Sequence, residues 1–447
     1  MTQSPPAVLP ASAWRFPSAV ESALGNGIRV LSFDSPGQYV VSVSLLFDVP
    51  LNAEPAELEG VAGLVARCLT RGAGDLAADA FSDALAACGA EMEAAANPDG
   101  FAVRMSVPAS HLARGLELMA LAVSAPTYAV HEFEQERRLR LQEIEQAKAY
   151  PGSVTVDQLN RALFGAARAG RPAGGTTEAV AAVTRDDVVA YGAEHLQPSS
   201  ATLILGGEFA NLDPVGLAAH AFDGWAHRGG DPVAPEDSPA SERPRVLLID
   251  WPDAPQATVR VAGPGITRGD PRWPALFVAN YVVGASFGSR LNTVLREEKG
   301  FTYGVSSSLD SGRRVGLLGV SASVQSGSTG EAVGDILAIL RDARGTLQGD
   351  EVAVAVRATS DSAPMGFERA EAVVGRVQLL LSQGLPLDHV DTNLARIRAV
   401  TAADANAAYV SVVRPEVLTV VVAGDAAANA EPLRALGHAP VEVLPRP

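Results

Sequence analysis

Arg296 and Tyr303 stand seven residues apart in the segment SRLNTVLREEKGFTYGV, one a permanent cation and the other a phenolic hydroxyl donor. Local sequence offers each a purely structural part. A helix carrying Arg296 ends at about Lys299, where Gly300 supplies the left-handed turn that closes it. On that reading Arg296 complements the negative end of the helix. A strand follows, and by alternation Tyr303 shares a face with Val305, Ser307 and Leu309, which half-buries its ring in the core. A chemical role for the pair needs support from outside this segment.

Other reactive groups are scattered. The seven histidines (His111, His131, His195, His220, His227, His389 and His438) include no pair at helical ligand spacing on an apolar helix. Cys68 and Cys88 form no CxxC and sit in apolar, helix-like sequence, so buried free thiols are expected rather than a disulfide framework or a zinc site. No G-x-S-x-G elbow sets a serine beside a histidine. Glu143 lies on a long polar-faced helix, from about His131 to Lys148, where an isolated carboxylate is by default a solvated surface group.

The chain has 447 residues, 47% of them apolar but only 5% aromatic, so its core is mostly aliphatic. A net charge of −16, with no basic run longer than ERRLR near Arg137, argues against a nucleic-acid partner. The acidic surface serves solubility or draws basic peptides. No stretch approaches 18 apolar residues and the N-terminus lacks a charged start and apolar run, so neither a membrane span nor a signal peptide is expected and the cytoplasm is the expected location.

Two stretches match at a constant offset of 217 residues, VTRDDVVAYGAEHLQPSSATLILGGE from Val183 and VTAADANAAYVSVVRPEVLTVVVAGD from Val400. Each reads as a helix capped by a threonine (Thr184, Thr401) with an aspartate in its first turn (Asp187, Asp404), a stop before proline (Pro198, Pro415), and a buried strand. Alternating runs RVLSFD and YVVSVSLLFDV open the first unit, and RVLLID and ATVRVAG the second. A helix is expected over Ala275 to Glu298. The expected architecture is α+β, a tandem repeat of two homologous domains, each a mostly antiparallel sheet with helices packed on one face. The boundaries are 15–228, a Pro- and Gly-rich linker at 229–245, and 246–440.

This organisation resembles the pitrilysin or insulinase-type zinc peptidases, in the branch of the mitochondrial processing peptidase and its shorter bacterial relatives. The landmarks are LGNGIRVL near Gly27, the acidic-plus-Gly entry to a helix at Leu58, FEQERRLRLQEI at Phe133, DAPQATVRVAGPG, and VVGASFGSRLNTVLREEKGFTYGVSSS. Active members carry H-x-x-E-H on the first helix, with two zinc-binding histidines and a glutamate that activates the bound water. Here that helix reads LEGVAGLVARCLTRG. An apolar stripe of Leu58, Val61, Ala62, Val65, Cys68 and Leu69 leaves Gly63, Ala66, Arg67 and Thr70 on the other face. The resemblance puts Gly63 and Arg67 at the ligand positions and Ala66 at the base position. Glu143, 76 residues beyond Arg67, falls where the distant zinc ligand belongs, with Glu136 seven before it. None of the first three can do the chemistry, so Arg67 is expected to stand in electrostatically for the metal and pair with Glu143.

The same resemblance gives Arg296 and Tyr303 a function, the arginine helping to hold a peptide and the tyrosine hydroxyl donating to the scissile carbonyl oxygen. It also implies that a peptide adds as a strand along GAEMEAAANPDGFAVRM, with Glu93, Ala95, Ala96 and Asn97 as contacts. Some members divide one site between two subunits. The expectation is therefore a non-zinc-binding subunit, inactive alone, holding no cofactor itself. Its partner would be a homologous chain with intact H-x-x-E-H that brings the zinc, and the reaction would be peptide hydrolysis. The other class implied is a scaffold or peptide-binding module like the peptidase-like core subunits of respiratory complexes. Only Gly284 and Gly288 interrupt GASFGSRL, unlike the longer glycine-rich loop of the processing peptidase's non-catalytic subunit.

Overall fold

In the computed structural model, which describes residues 14–227 and 233–447, the two repeats fold as two six-stranded sheets. The first contains β1 (Val20–Ala23), β2 (Arg29–Asp34), β3 (Val40–Phe47), β4 (Glu91–Asn97), β5 (Gly100–Pro108) and β6 (Ala201–Gly207), in the order β1-β2-β6-β3-β5-β4. The second contains β7 (Arg245–Asp250), β8 (Gln256–Pro264), β9 (Thr302–Ser311), β10 (Gly316–Gln325), β11 (Thr419–Gly424) and β12 (Val441–Leu444), in the order β12-β7-β11-β8-β10-β9. Pairing is antiparallel except for β2 with β6, and β7 with β11 and β12. β2, β3, β6, β5 and β4 thus repeat as β7, β8, β11, β10 and β9. Both β4 and β9 end a sheet, with one side of each strand unpaired.

The repeated helix–strand pair has the local structure its residues demand. Thr184 and Thr401 each cap a helix, Arg185–His195 and Ala402–Val412. Asp187 and Asp404 return the hydrogen bond as reciprocal capping boxes. Pro198 and Pro415 open short 3-10 turns that lead into β6 and β11. The α+β architecture agrees with the sequence reading, and each sheet carries its own repeat's helices on one face.

The opposite face of each sheet is covered by the other repeat. Helix Pro151–Phe164, from the first half, lies on β8 and β11 of the second sheet. Val154, Leu159 and Leu163 meet Leu247, Ile249, Val421 and Ala423 there. Helix Ala370–Ser382, from the second half, lies on β3 and β6 of the first, where Val373, Val374, Val377 and Leu380 meet Leu31, Phe33 and Ile204. Strand alternation makes this possible. Along β2, Val30 points to the first half's own core while Leu31 and Phe33 point to the visiting helix. Such central strands are buried on both faces, which is why they read as continuous apolar runs. Polar contacts cross as well: Gln378 Oε1 accepts from Ser44 Oγ at 3.0 Å, and Arg260 Nε donates to Thr155 Oγ1 at 3.2 Å.

Of the linker, residues 229–232 lie outside the described residues. From Ala234 on it is held against the first half. Asn52 donates to the Ala234 carbonyl and accepts from Glu236 N, and Ser241 N donates to the Leu163 carbonyl. Among the described residues no helix is long and apolar enough to cross a membrane.

Candidate functional site: an Arg67 ion-pair cluster and an exposed Arg–Tyr pair

Helix Val61–Cys68 begins at Gly60, whose φ of 104° is left-handed. A Cβ there would stand 2.9 Å from the Gly174 carbonyl oxygen, so only glycine fits. Glu54 caps the helix from the side. Its Oε1 accepts from the backbone of Gly60 and Ala62, both at 3.0 Å, and its Oε2 receives Arg168 Nη2 at 2.7 Å. Burial pushes the Glu54 carboxyl up, and the Arg168 hydrogen bond and charge only partly offset this. Next to it Glu59 pairs with Arg171. The sequence shows the acidic-plus-Gly helix entry but nothing that points to the two arginines, which lie over a hundred positions away.

On this helix Val61, Ala62, Val65, Cys68 and Leu69 are buried as expected, while Leu58 is half-buried. Burial pushes the Cys68 thiol up to about 12, which leaves it inert, and Cys88 is likewise a buried free thiol. Ala66 departs from expectation. It is buried rather than on an open face, since the helix packs on Arg185–His195, Val130–Ala147 and β4 and leaves little of its surface free. Gly63 is half-exposed.

Arg67 lies between two carboxylates of helix Val130–Ala147. Its Nη1 and Nη2 meet Glu143 Oε2 and Oε1 at 3.2 and 2.8 Å, and its Nε donates to Glu136 Oε2 at 2.9 Å. Glu136, whose side chain is only 3% exposed, also receives Arg71 at 2.7 Å, and Glu143 receives Arg140 at 3.2 Å. Burial acts to raise the Glu143 carboxyl, but the Arg67 hydrogen bond and charge, followed by those of Arg140, hold it below its usual range. The sequence places Glu136 and Glu143 two helical turns apart on one face; it does not reveal that Arg71 completes the cluster.

A zinc ion does not fit this set. Gly63 and Ala66 have no donor atoms, and Arg67 fills the space before Glu143 with a cation that cannot be deprotonated. Among the described residues no group of three or more histidine, cysteine, aspartate or glutamate side chains is placed to hold a metal.

In the second half the expected single helix over Ala275 to Glu298 is broken. An α-helix, Trp273–Asn280, widens to a π-turn at Tyr281–Ala285, stops across Ser286–Ser289, and resumes from Arg290 through a second π-turn, Thr293–Glu298. Ser289 caps the restart by accepting from Asn292 N. Arg296 lies in that second π-turn, with its guanidinium carbon 4.0 Å from the Phe287 ring centre and Nη1 3.2 Å from Glu297. Tyr303 is 92% exposed, not half-buried. The cause is a bulge in the β9–β10 pairing, which shifts between Ala322 and Val324. Val305 and Ser307 point into the core, whereas Tyr303 has been turned out of phase with them. Asn292 fixes the strand at that point: its side chain donates to the Val305 carbonyl at 2.8 Å and accepts from Val305 N at 3.2 Å. Arg296, Tyr303, Phe287, Arg260 and Asn292 line one cavity of about 600 Å³, reached also by Gly152 from the first half.

Glu93, Ala95, Ala96 and Asn97 all lie on β4, the edge strand, with unpaired backbone along one side. Glu93 is 3.5 Å from Arg104 on β5.

Residues 29–177 match the family model described as insulinase (peptidase family M16), and residues 182–359 match that described as the peptidase M16 inactive domain. Together they span most of the sequence, and the chain belongs to the M16 peptidase family. It is 27% identical over 397 residues to an uncharacterized zinc protease of Streptomyces coelicolor, covering 86% of this chain and 85% of that one. It is 24% identical over 281 residues to the mitochondrial-processing peptidase subunit beta of Rattus norvegicus, covering 62% and 57%. Its fold matches a peptidase M16 inactive domain from Pseudomonas fluorescens with a TM-score of 0.85 at 20% identity, covering 91% of this chain and 98% of that one.

Proposed function

We propose that this chain is the non-zinc-binding subunit of a heterodimeric peptidase, inactive alone and acting in the cytoplasm. A homologous partner with intact H-x-x-E-H brings the metal, its ligands and the general base. This chain brings Arg296 and Tyr303, and the β4 edge from Glu93 to Asn97 receives the peptide backbone as an added strand. The supporting observation is a contrast within one molecule. The position expected for the metal holds a closed Arg67–Glu136–Glu143 ion-pair cluster, whereas Tyr303 is held out into solvent by a bulge and by the Asn292 hydrogen bonds that fix its strand. The exposed hydroxyl can donate to a carbonyl oxygen as negative charge develops on it, and Arg296 can hold a substrate carbonyl or carboxylate nearby.

The test is reconstitution with a family member that retains H-x-x-E-H. Each chain alone should be inactive in a peptide-cleavage assay and the mixture active. Tyr303→Phe should then lower kcat by about 10²-fold or more while leaving assembly intact. Undiminished turnover by both Tyr303→Phe and Arg296→Ala would leave the chain as a scaffold.

A further inference from the structure

A second, larger cavity of about 810 Å³ lies where the two halves meet, and the Arg–Tyr pair does not line it. Its rim takes in the far ends of both edge strands, Asn97 of β4 and Leu309, Asp310 and Ser311 of β9. Arginines are concentrated there, although the chain as a whole is strongly acidic. Most are already committed: Arg168 to Glu54, Arg171 to Glu59, Arg313 to Asp48, and Arg104 to Gln378 and Glu93. Arg268 and Arg314 are not. Among the described residues neither makes an ion pair or a side-chain hydrogen bond.

Arg268 is the unusual one, because its backbone and ring contacts fix it in place while its charge has no ion-pair partner among the described residues. Its backbone N donates to Ser311 Oγ at 2.9 Å, and the Ser311 carbonyl in turn accepts from Gln383 Nε2, a side chain only 8% exposed. Its guanidinium lies on the Trp273 ring with the carbon 4.8 Å from the ring centre, and its Nε is buried with no acceptor. Burial pushes this group down to about 10, and the charge of Arg376 adds to the effect. Asp310 acts on it through space without making an ion pair. At neutral pH the guanidinium is therefore a half-desolvated cation flanked by a second one. Leaving a charge so placed unpaired is costly. An incoming anion would relieve that cost, and the planar fork suits the two oxygens of a carboxylate.

We propose that this cavity binds a peptide carboxylate through Arg268, with Arg314 on the β9–β10 turn as a second, exposed contact. The surroundings select the ligand class. Leu46, Phe164, Leu309 and Leu317 line the same space, so the anion must carry apolar substance beside it. The edge strands ending there offer backbone groups to an extended chain. The inference rests on the peptide-binding part of the proposed function and needs neither Arg296 nor Tyr303.

The test uses the full chain alone, without a partner, and a fluorescein-labelled five-residue alanine peptide followed by polarisation. The peptide is presented as the free acid, as the C-terminal amide, and as an amide ending in glutamate. The free acid should bind at least about tenfold more tightly than the alanine amide, and Arg268→Gln should abolish that difference while a thermal melt shows the variant folded. Arg314→Gln, on an exposed turn, should weaken the acid alone by about threefold and guards against a misfolded Arg268 variant. If the glutamate amide binds like the free acid, the recognised carboxylate extends to acidic side chains; if it binds like the alanine amide, recognition is confined to the chain terminus. Equal binding of acid and amide, a difference that survives Arg268→Gln, or no binding at all would overturn the inference. The turnover test with Tyr303→Phe is read separately, so failure of one does not imply failure of the other.

Discussion

Replacing Arg67 by methionine removes the cation from between Glu136 and Glu143 while keeping much of the side chain's bulk. Breaking a buried ion pair by removing one partner costs about 3–5 kcal/mol. Two observations lower that figure here. The Arg67 side chain is 29% exposed, and both carboxylates keep another arginine, Arg71 for Glu136 and Arg140 for Glu143. The expected loss is about 1–3 kcal/mol, read as a lower midpoint in urea denaturation. Its partition is also set. Glu136 is buried and Glu143 is 45% exposed, so a double-mutant cycle of Arg67→Met with Glu136→Gln should show the larger coupling and one with Glu143→Gln the smaller, at most about 1 kcal/mol. The Glu143 carboxyl is depressed in the folded chain, so its contribution is complete above its unfolded value of 4.5 and disappears as pH falls through the lower folded value. The gap between wild type and Arg67→Met should accordingly be full at neutral pH and narrow below about pH 4.5. A variant as stable as wild type, or a coupling larger for Glu143 than for Glu136, would refute the reading of Arg67 as the group that replaces a metal.

The triple change Gly63→His, Ala66→Glu and Arg67→His should let the chain take up one zinc per molecule by equilibrium dialysis, and adding Glu143→Gln should weaken that uptake by an order of magnitude or more, because Glu143 is already within reach of position 67. Leu380→Ala, in the helix that crosses to the first sheet, should cost about 2–5 kcal/mol. Its effect on hydrogen exchange should appear in β2 and β6 of the other half, and protection lost only around its own repeat would contradict the packing described. Glu54→Ala removes the nearer of Arg168's two buried carboxylates, leaving Glu59 at 3.7 Å, and takes the cap from helix Val61–Cys68; a loss of about 3 kcal/mol is expected by thermal or urea unfolding.

Much of this was legible in the sequence because it rests on short-range rules. Thr184 and Asp187, repeated as Thr401 and Asp404, announce a capping box wherever they occur. The helix from Val130 follows from its polar face, whereas the edge strand at Glu93 came only through the resemblance. What could not be read depends on distant partners or on single-residue irregularities. Arg168 is 114 positions from Glu54, and no periodicity joins them. A one-residue bulge opposite Ser323 reversed the predicted orientation of Tyr303, because alternation counts residues and a bulge changes the count. The helix over Ala275 to Glu298 was expected as a single element. Its break is set by Ser289 capping a new start and by Asn292 reaching across to the strand. Arg67 pairing with Glu143 was within reach only because the resemblance had already set those two positions side by side.

The crossing helices have a consequence for history and for motion. A single repeat, taken alone, would leave Leu31, Phe33 and Ile204, or their counterparts in the other copy, open to water, each worth on the order of 1.5–3 kcal/mol when covered. Two separate copies could cover one another by trading the same helix, so the chain has the geometry of a domain-swapped homodimer whose protomers were later joined by a tether. The trade also removes the hinge. Spreading the halves would pull both helices from their sheets at once and uncover both apolar faces.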